Sequence, residues 1–458
     1  MFGPLANRTY RHLFAAQVIA LFGTGLTTVA LALLAYDLAG GDAGLVLGTA
    51  LALKMVTYVA IAPVAGAFAH RLPRRALLVA LDLIRAGVVL CLPFVTQIWE
   101  IYALILIVNA CSAAFTPVFQ ATIPDILEDK PTYTRALSLS RLAYDLENLL
   151  SPMAAGLALL VISYNGLFAT NALAFVVSAA LVVSVVLPPS RQPERTGGVL
   201  ESLGFGLKVY LATPRLRGLL ALAVAVSAAG SMTIVNTVVI VRDQMNGSDI
   251  ATALAFAAVG AGSMAAALTL PRLLDRLADR PVMISGGVVL TAGLLAGLLE
   301  PDFLALLLIW FALGTGSSMI QTPAGRLLRR SSSQGDRSAV FSAQFALSHL
   351  CWLFLYPLAG LGSAYLGVET TFAILAAISL CATCSALVLW PKGDPLVVPH
   401  THEAREHEHL HVHDEHHPHE HPGWEGPEPH SHPHRHGAIR HSHTFVVDLH
   451  HPVWPRRS

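Results

Sequence analysis

GAFAHRLPRRALLVALDLIRAG, residues 66–87, decides the fold. A basic knot, Arg71, Arg74 and Arg75 around Pro73, separates two strongly apolar stretches, and the second is interrupted only by Asp82 and Arg85. Charged groups in hydrocarbon cost several kcal/mol unless they are paired or face a cavity. Cations therefore collect in the short loops on one side of a bilayer. The stretch reads as the end of one membrane helix, a tight basic turn and the start of the next.

The rest of the chain repeats this grammar. Of 458 residues, 54% are hydrophobic and 13% charged, where ordinary soluble domains carry about 25% charged residues; the mean hydropathy is +0.59. About 20 helical residues cross roughly 30 Å of hydrocarbon, and apolar runs of that length predict spans at 13–36, 44–69, 76–96, 101–123, 138–162, 166–188, 216–241, 250–271, 282–299, 303–325, 338–362 and 367–390. The polar opening stretch and the length of the first run argue against a cleavable leader. All five cysteines, Cys91, Cys111, Cys351, Cys381 and Cys384, fall in apolar segments, which is not a disulfide framework. Neither a nucleotide loop nor a nucleophile elbow nor a zinc-hydrolase spacing is present, so an enzyme is disfavoured, and no nucleic-acid partner is expected.

Cations alternate sides as an even number of spans requires. Arg8 and Arg11, Arg71 to Arg75, Lys130 and Arg135, Arg191 to Arg217, Arg272 to Arg280 and Arg326 to Arg337 share one side. The opposite loops contain almost no cations, Arg242 excepted, and carry Asp42, Glu100, Glu300, Asp302 and Glu369. With an even number of spans, this predicts both termini in the cytoplasm. The expected organisation is all-α: a six-helix half over 1–190, a cytoplasmic linker over 191–215 containing the amphipathic LESLGFGLKVYL, a second six-helix half over 216–391, and a disordered histidine-rich tail over 392–458. LPRLLDRLADRPVMISGG, residues 270–287, occupies in the second half the place of the opening stretch in the first, as in a duplicated transporter.

The basic loop resembles the signature of the major facilitator superfamily, G-x-x-x-D-R-x-G-R-R, with Gly66, Arg71, Arg74 and Arg75 in place and His70 and Pro73 departing from it. The resemblance implies a transporter of two six-helix halves in which this loop is a conformational element. Asp82 and Arg85 fall where exporters of the superfamily often carry a buried acid and base. SLSRLAYDLENLLSP together with the histidine-rich tail resembles the nickel-resistance (Nre-type) branch, which implies nickel efflux.

Residues 138–152 are the most informative helix. At 100° per residue, Ser140, Arg141, Tyr144, Asp145, Glu147, Asn148, Ser151 and Pro152 fill one wedge about 160° wide, with leucines opposite. Arg141 and Asp145, four apart, can pair, whereas Glu147 lies on the far margin with no partner in its own helix and is the first candidate metal ligand or proton carrier. His349 shares a face with Ser342, Trp352 and Tyr356, and a neutral imidazole is a common ligand of borderline metals. Asn109, Ser112, Thr116 and Gln120 line one face of the fourth span; Gln321 and Gln344 are weaker members of the set. Lys54 would repel a divalent ion unless it neutralises a carboxylate such as Glu147. The expected pathway and proton-coupling set is thus Glu147, Asp145, His349, Asn109, Gln120, Tyr144, Lys54 and Arg85.

Residues 407–422 read HEHLHVHDEHHPHEHP, and eighteen histidines lie between His400 and His451. His407, His409, His411, His413, His416, His417, His419 and His421, interleaved with carboxylates, form a multidentate surface suited to nickel, cobalt, zinc or copper, with no fixed cofactor implied. The expectation is a monomeric efflux carrier in the lipid bilayer, moving nickel or cobalt out of the cytoplasm in exchange for protons. A drug or siderophore exporter of the same superfamily and a membrane-anchored metal store remain as alternatives.

Overall fold

In hydrocarbon a backbone N–H or C=O has no partner except within its own segment, so apolar runs of this length fold as helices. The computed structural model describes residues 3–39, 43–68, 71–189, 199–393, 397–402, 405–411, 430–436, 439–444, 446–447 and 454. Its helices are α1 (Arg8–Ala39), α2 (Ala43–Phe68), α3 (Arg74–Cys91), α4 (Ile98–Ile126), α5 (Lys130–Ala158), α6 (Tyr164–Val183), α7 (Val199–Ala212), α8 (Pro214–Val238), α9 (Asp249–Leu274), α10 (Asp279–Ala296), α11 (Phe303–Arg330), α12 (Arg337–Leu366) and α13 (Val368–Leu389). Ten are long and apolar enough to cross a membrane. Of the others, α7 is the short amphipathic linker, α2 has its apolar stretch at Ala52–Phe68, and α5 carries the polar wedge.

Side chains at the loops set where helices begin. Asp129 caps α5 by accepting from the Thr132 amide at 2.9 Å, Asp302 caps α11 through the Ala305 amide at 2.8 Å, and Gln97 with Glu100 forms a capping box on α4. Gly367 alone joins α12 to α13, with φ 88° and ψ 159°; only glycine takes that conformation without strain.

The protein is a multi-pass membrane protein of two repeated halves. In the first, α1 packs on α5 and α6, α2 on α4, and α3 on α4 and α6; in the second, α8 packs on α12 and α13, α9 on α11, and α10 on α11 and α13. Across the seam, α2 meets α12 and α5 meets α9, so the second helix of each half packs on the fifth of the other. The second half has a large core, which includes Leu222, Leu290 and Trp310, and a smaller cluster of Ala266, Leu270, Leu274 and Val282. The first half has a cluster around Leu13, Leu78, Val118 and Tyr133 towards the arginine-rich end and another around Leu34, Ile101 and Phe168 towards the opposite end.

Strand β1 (Val397–His402) pairs antiparallel with β4 (Ile439–Thr444), and β2 (Arg405–His411) with β3 (His430–His436).

Candidate functional site

The seam between the halves holds two polar clusters at mid-depth and a lock at the arginine-rich end. At a rise of 1.5 Å per residue, Lys54, Arg141, Glu147 and His349 all lie about 16–26 Å along their helices from that end. Depth alone therefore brings them to one level.

The first cluster lies between α2, α5 and α12. Lys54 Nζ stands 5.6 Å from the centre of the Tyr58 ring, and Tyr58 meets His349 edge-on at 4.8 Å and Phe345 at 5.0 Å. The His349 Nδ1 lies 2.7 Å from the Phe345 carbonyl oxygen. That contact assigns the proton to Nδ1 and leaves Nε2 with the lone pair. Glu147 lies two residues after Asp145 on α5, and Ser140 on the same helix donates to Gln17 on α1 at 3.3 Å. Gly25 allows α1 to approach α5 here: a Cβ at that position would lie 3.2 Å from Glu147 Oε1 and would overlap Ser151.

The second cluster lies between α5, α9 and α11. Arg141 pairs with Asp145 at 2.9 Å, and its other nitrogens cross the seam, Nε donating to Ser263 at 3.0 Å and Nη1 to Gln321 at 3.1 Å. Asp145 and Glu147 thus face different neighbours and do not share a site. Among the described residues no group of three or more His, Cys, Asp or Glu side chains is arranged to hold a metal ion.

Other expected residues are placed elsewhere. Arg85 is held inside the first half, where it pairs with buried Asp82, lies 4.4 Å and 4.5 Å from the rings of Phe115 and Phe175, and leaves Asp82 Oδ2 to accept from Ser178 at 2.8 Å. This pair ties α3 to α4 and α6 away from the seam. Asn109 donates to its own helix at Ile105, 2.8 Å away, and Gln120 is half-buried on α4. His407, His409 and His411 lie on β2, where backbone alone is described, and His413, His416, His417, His419 and His421 lie outside the described residues.

The lock contains residues that spacing does not reveal. Asp125, at the end of α4, accepts from Arg74 at 2.6 Å and pairs with Arg337 at the start of α12 in the other half. Arg74 is the loop arginine of the opening stretch; Arg71 stacks on Phe68 at 4.7 Å and Arg75 is exposed. Arg329 donates to the Glu128 carbonyl at 2.6 Å, and the Tyr133 hydroxyl donates to the Gly325 carbonyl at 3.2 Å. Gly66 lets α2 and α12 close, because a Cβ there would come within 2.6 Å of Ser342 Cβ. These bonds seal the seam at the arginine-rich end. His70, in the signature's acidic position, lies outside the described residues; Asp125 supplies a carboxylate from another helix.

The chain matches the Major Facilitator Superfamily model over residues 13–235 and again over 220–425. It is 22% identical over 374 residues to the uncharacterized MFS-type transporter YfiS of Bacillus subtilis (strain 168), covering 79% of this chain and 88% of that protein. The structure resembles the crystal structure of the human organic anion transporter MFSD10 (TETRAN), with a TM-score of 0.72 at 12% identity over 83% of this chain and 99% of that one. It also resembles the proton:xylose symporter XylE bound to 6-bromo-6-deoxy-D-glucose, with a TM-score of 0.66 at 14% identity over 85% and 96% of the two chains.

Proposed function

Because the chain belongs to the major facilitator superfamily, we propose that it is a secondary exporter of a divalent transition metal, nickel or cobalt, similar to the nickel-resistance branch and driven by proton exchange across a bacterial inner membrane. The observation that carries this reading is the histidine-rich stretch. Eighteen imidazoles between His400 and His451, on the side that the cation distribution assigns to the cytoplasm, would raise the metal concentration at the inner mouth. The ion would pass from there to the cluster between α2, α5 and α12. Glu147 and the His349 Nε2 offer it one oxygen and one nitrogen, with water completing the shell.

Lys54 gives this site its logic. Lys54, on the neighbouring α2, would neutralise Glu147 while no cargo is bound. An arriving cation must displace the ammonium, and protonation of Glu147 and His349 from the far side releases the ion again. The lock at Asp125 would open to admit cargo and close to commit it.

Lys54 also supports a second reading. A fixed cation in the central cavity suits an organic anion or a drug with an anionic group, and superfamily membership leaves the cargo open. Radiolabelled nickel uptake into inverted vesicles, with and without an imposed pH difference, separates the two. The metal reading expects gradient-dependent uptake that Glu147→Gln abolishes and that deletion of residues 400–458 only weakens. Absence of nickel and cobalt flux under every gradient refutes it.

A further inference from the structure

Two apolar residues far along the histidine-rich region pack against the second half, Val447 buried and Trp454 partly buried. Val447 is 2% exposed and belongs to the core of the second half. Trp454 packs on the same core, and its ring lies 4.9 Å from the Arg215 guanidinium carbon. Arg215, on the first turn of α8, is itself 1% exposed, and its Nε donates at 2.8 Å to Ser331, at the end of α11. An aromatic face over a guanidinium withdrawn from water offsets part of its lost hydration. Val447 and Trp454 therefore occupy a built notch on the second half.

The strand register is a second and independent observation. Val397 stands opposite Thr444 and His402 opposite Ile439; Arg405 stands opposite His436 and His411 opposite His430. Both ladders keep one register, as two parts of a single long hairpin do. The chain leaves α13 past buried Trp390, whose carbonyl accepts from Arg280 at 2.8 Å, and the ladders bring Thr444 back beside Val397.

We infer that Val447 and Trp454 form an anchor on the second half, in the notch between the start of α8 and the end of α11, which fastens the histidine-rich stretch at both ends. The stretch is then a closed loop that travels with the second half instead of a free arm. A loop held at both ends samples less volume than an arm of the same length, so its imidazoles stay concentrated at the arginine-rich mouth. The backbone register sets His407 opposite His434, His409 opposite His432 and His411 opposite His430. Use of these histidines to collect metal rests on the proposed cargo; the anchor does not.

The test uses the full-length protein in lipid nanodiscs, in metal-free buffer, with the five native cysteines replaced. Val447→Cys is labelled with a charged maleimide and compared with Arg276→Cys, an exposed position in the loop after α9. The anchor expects Val447→Cys to react at least about tenfold more slowly than the control, as a docked segment that opens only transiently does. Adding Trp454→Ala should bring its rate to that of the control, and Trp454→Phe, which keeps an aromatic face, should retain most of the protection. Equal rates with Trp454 in place overturn the anchor, as does protection that survives Trp454→Ala. None of these rates depends on which cargo the protein moves, so nickel flux and the anchor stand or fall separately.

Discussion

Replacing Asp125 by asparagine should open the arginine-rich end. The side chain is 8% exposed and is shared by Arg74 and Arg337, whose side chains are 3% and 8% exposed. Removing one member of a buried ion pair costs about 3–5 kcal/mol, because the partner is left charged without compensation. In the sealed form both arginines are stranded in this way, whereas in a form open at that end water can solvate them. The cost therefore falls on the sealed form. At about 1.4 kcal/mol per tenfold change, the ratio of sealed to open molecules should fall by about 100-fold or more. Spin labels at Arg75→Cys in the first half and Arg276→Cys in the second, both exposed, report the separation by double electron–electron resonance in a background without native cysteines. Asp125→Asn should move the distance distribution towards longer values. A folded variant whose distribution matches that of the parent would refute the assignment of Asp125 as the carboxylate of the lock.

Lys54→Met should strengthen binding of nickel at the central site about tenfold or more, because a unit charge at about 6 Å from a divalent ion repels it by a few kcal/mol even at an effective dielectric constant near 20; isothermal titration on protein lacking residues 400–458 reads this, and weaker binding would favour an anionic cargo. Gly25→Val should lower transport with little change in expression, since its side chain would drive α1 away from Glu147 and Ser151, and unchanged flux would show that the approach is not needed. Asp129 is held below the usual carboxylate range by the Thr132 hydroxyl and amide. Its stabilising cap is therefore complete above the ordinary carboxylate pKa and is lost as pH falls through the lowered value. The Tm difference between the parent and Asp129→Ala should vanish at acid pH, and a difference constant with pH would contradict the cap.

Most of the fold was legible because the bilayer imposes a single solution on each long apolar run, and the side on which arginines collect fixes how the runs alternate. Helical projection also set Asp145 and Glu147 on opposite margins of the α5 wedge, and Asp145 pairs with Arg141. What remained hidden depends on pairs far apart in the chain. Asp125 ends a span as an ordinary terminal carboxylate, and nothing in its spacing shows that Arg337 of the other half lies against it. Arg141 read as a partner of Asp145 alone, since Ser263 and Gln321 are small or neutral residues whose reach across the seam is set by the packing of α5 on α9 and α11. Asp82 and Arg85 were placed together by the family resemblance, and the two pair inside the first half.

Gly367 gives the second half an asymmetry of stiffness. A joint one residue long between α12 and α13 has no slack with which to absorb a tilt. Any swing of α12, which carries His349 and Arg337, must reappear in α13 as a lever reappears at its fulcrum. Since α13 packs on α8 and α10, a displacement of α12 is spread through the second half, and the corner opposite the arginine-rich end acts as a rigid elbow.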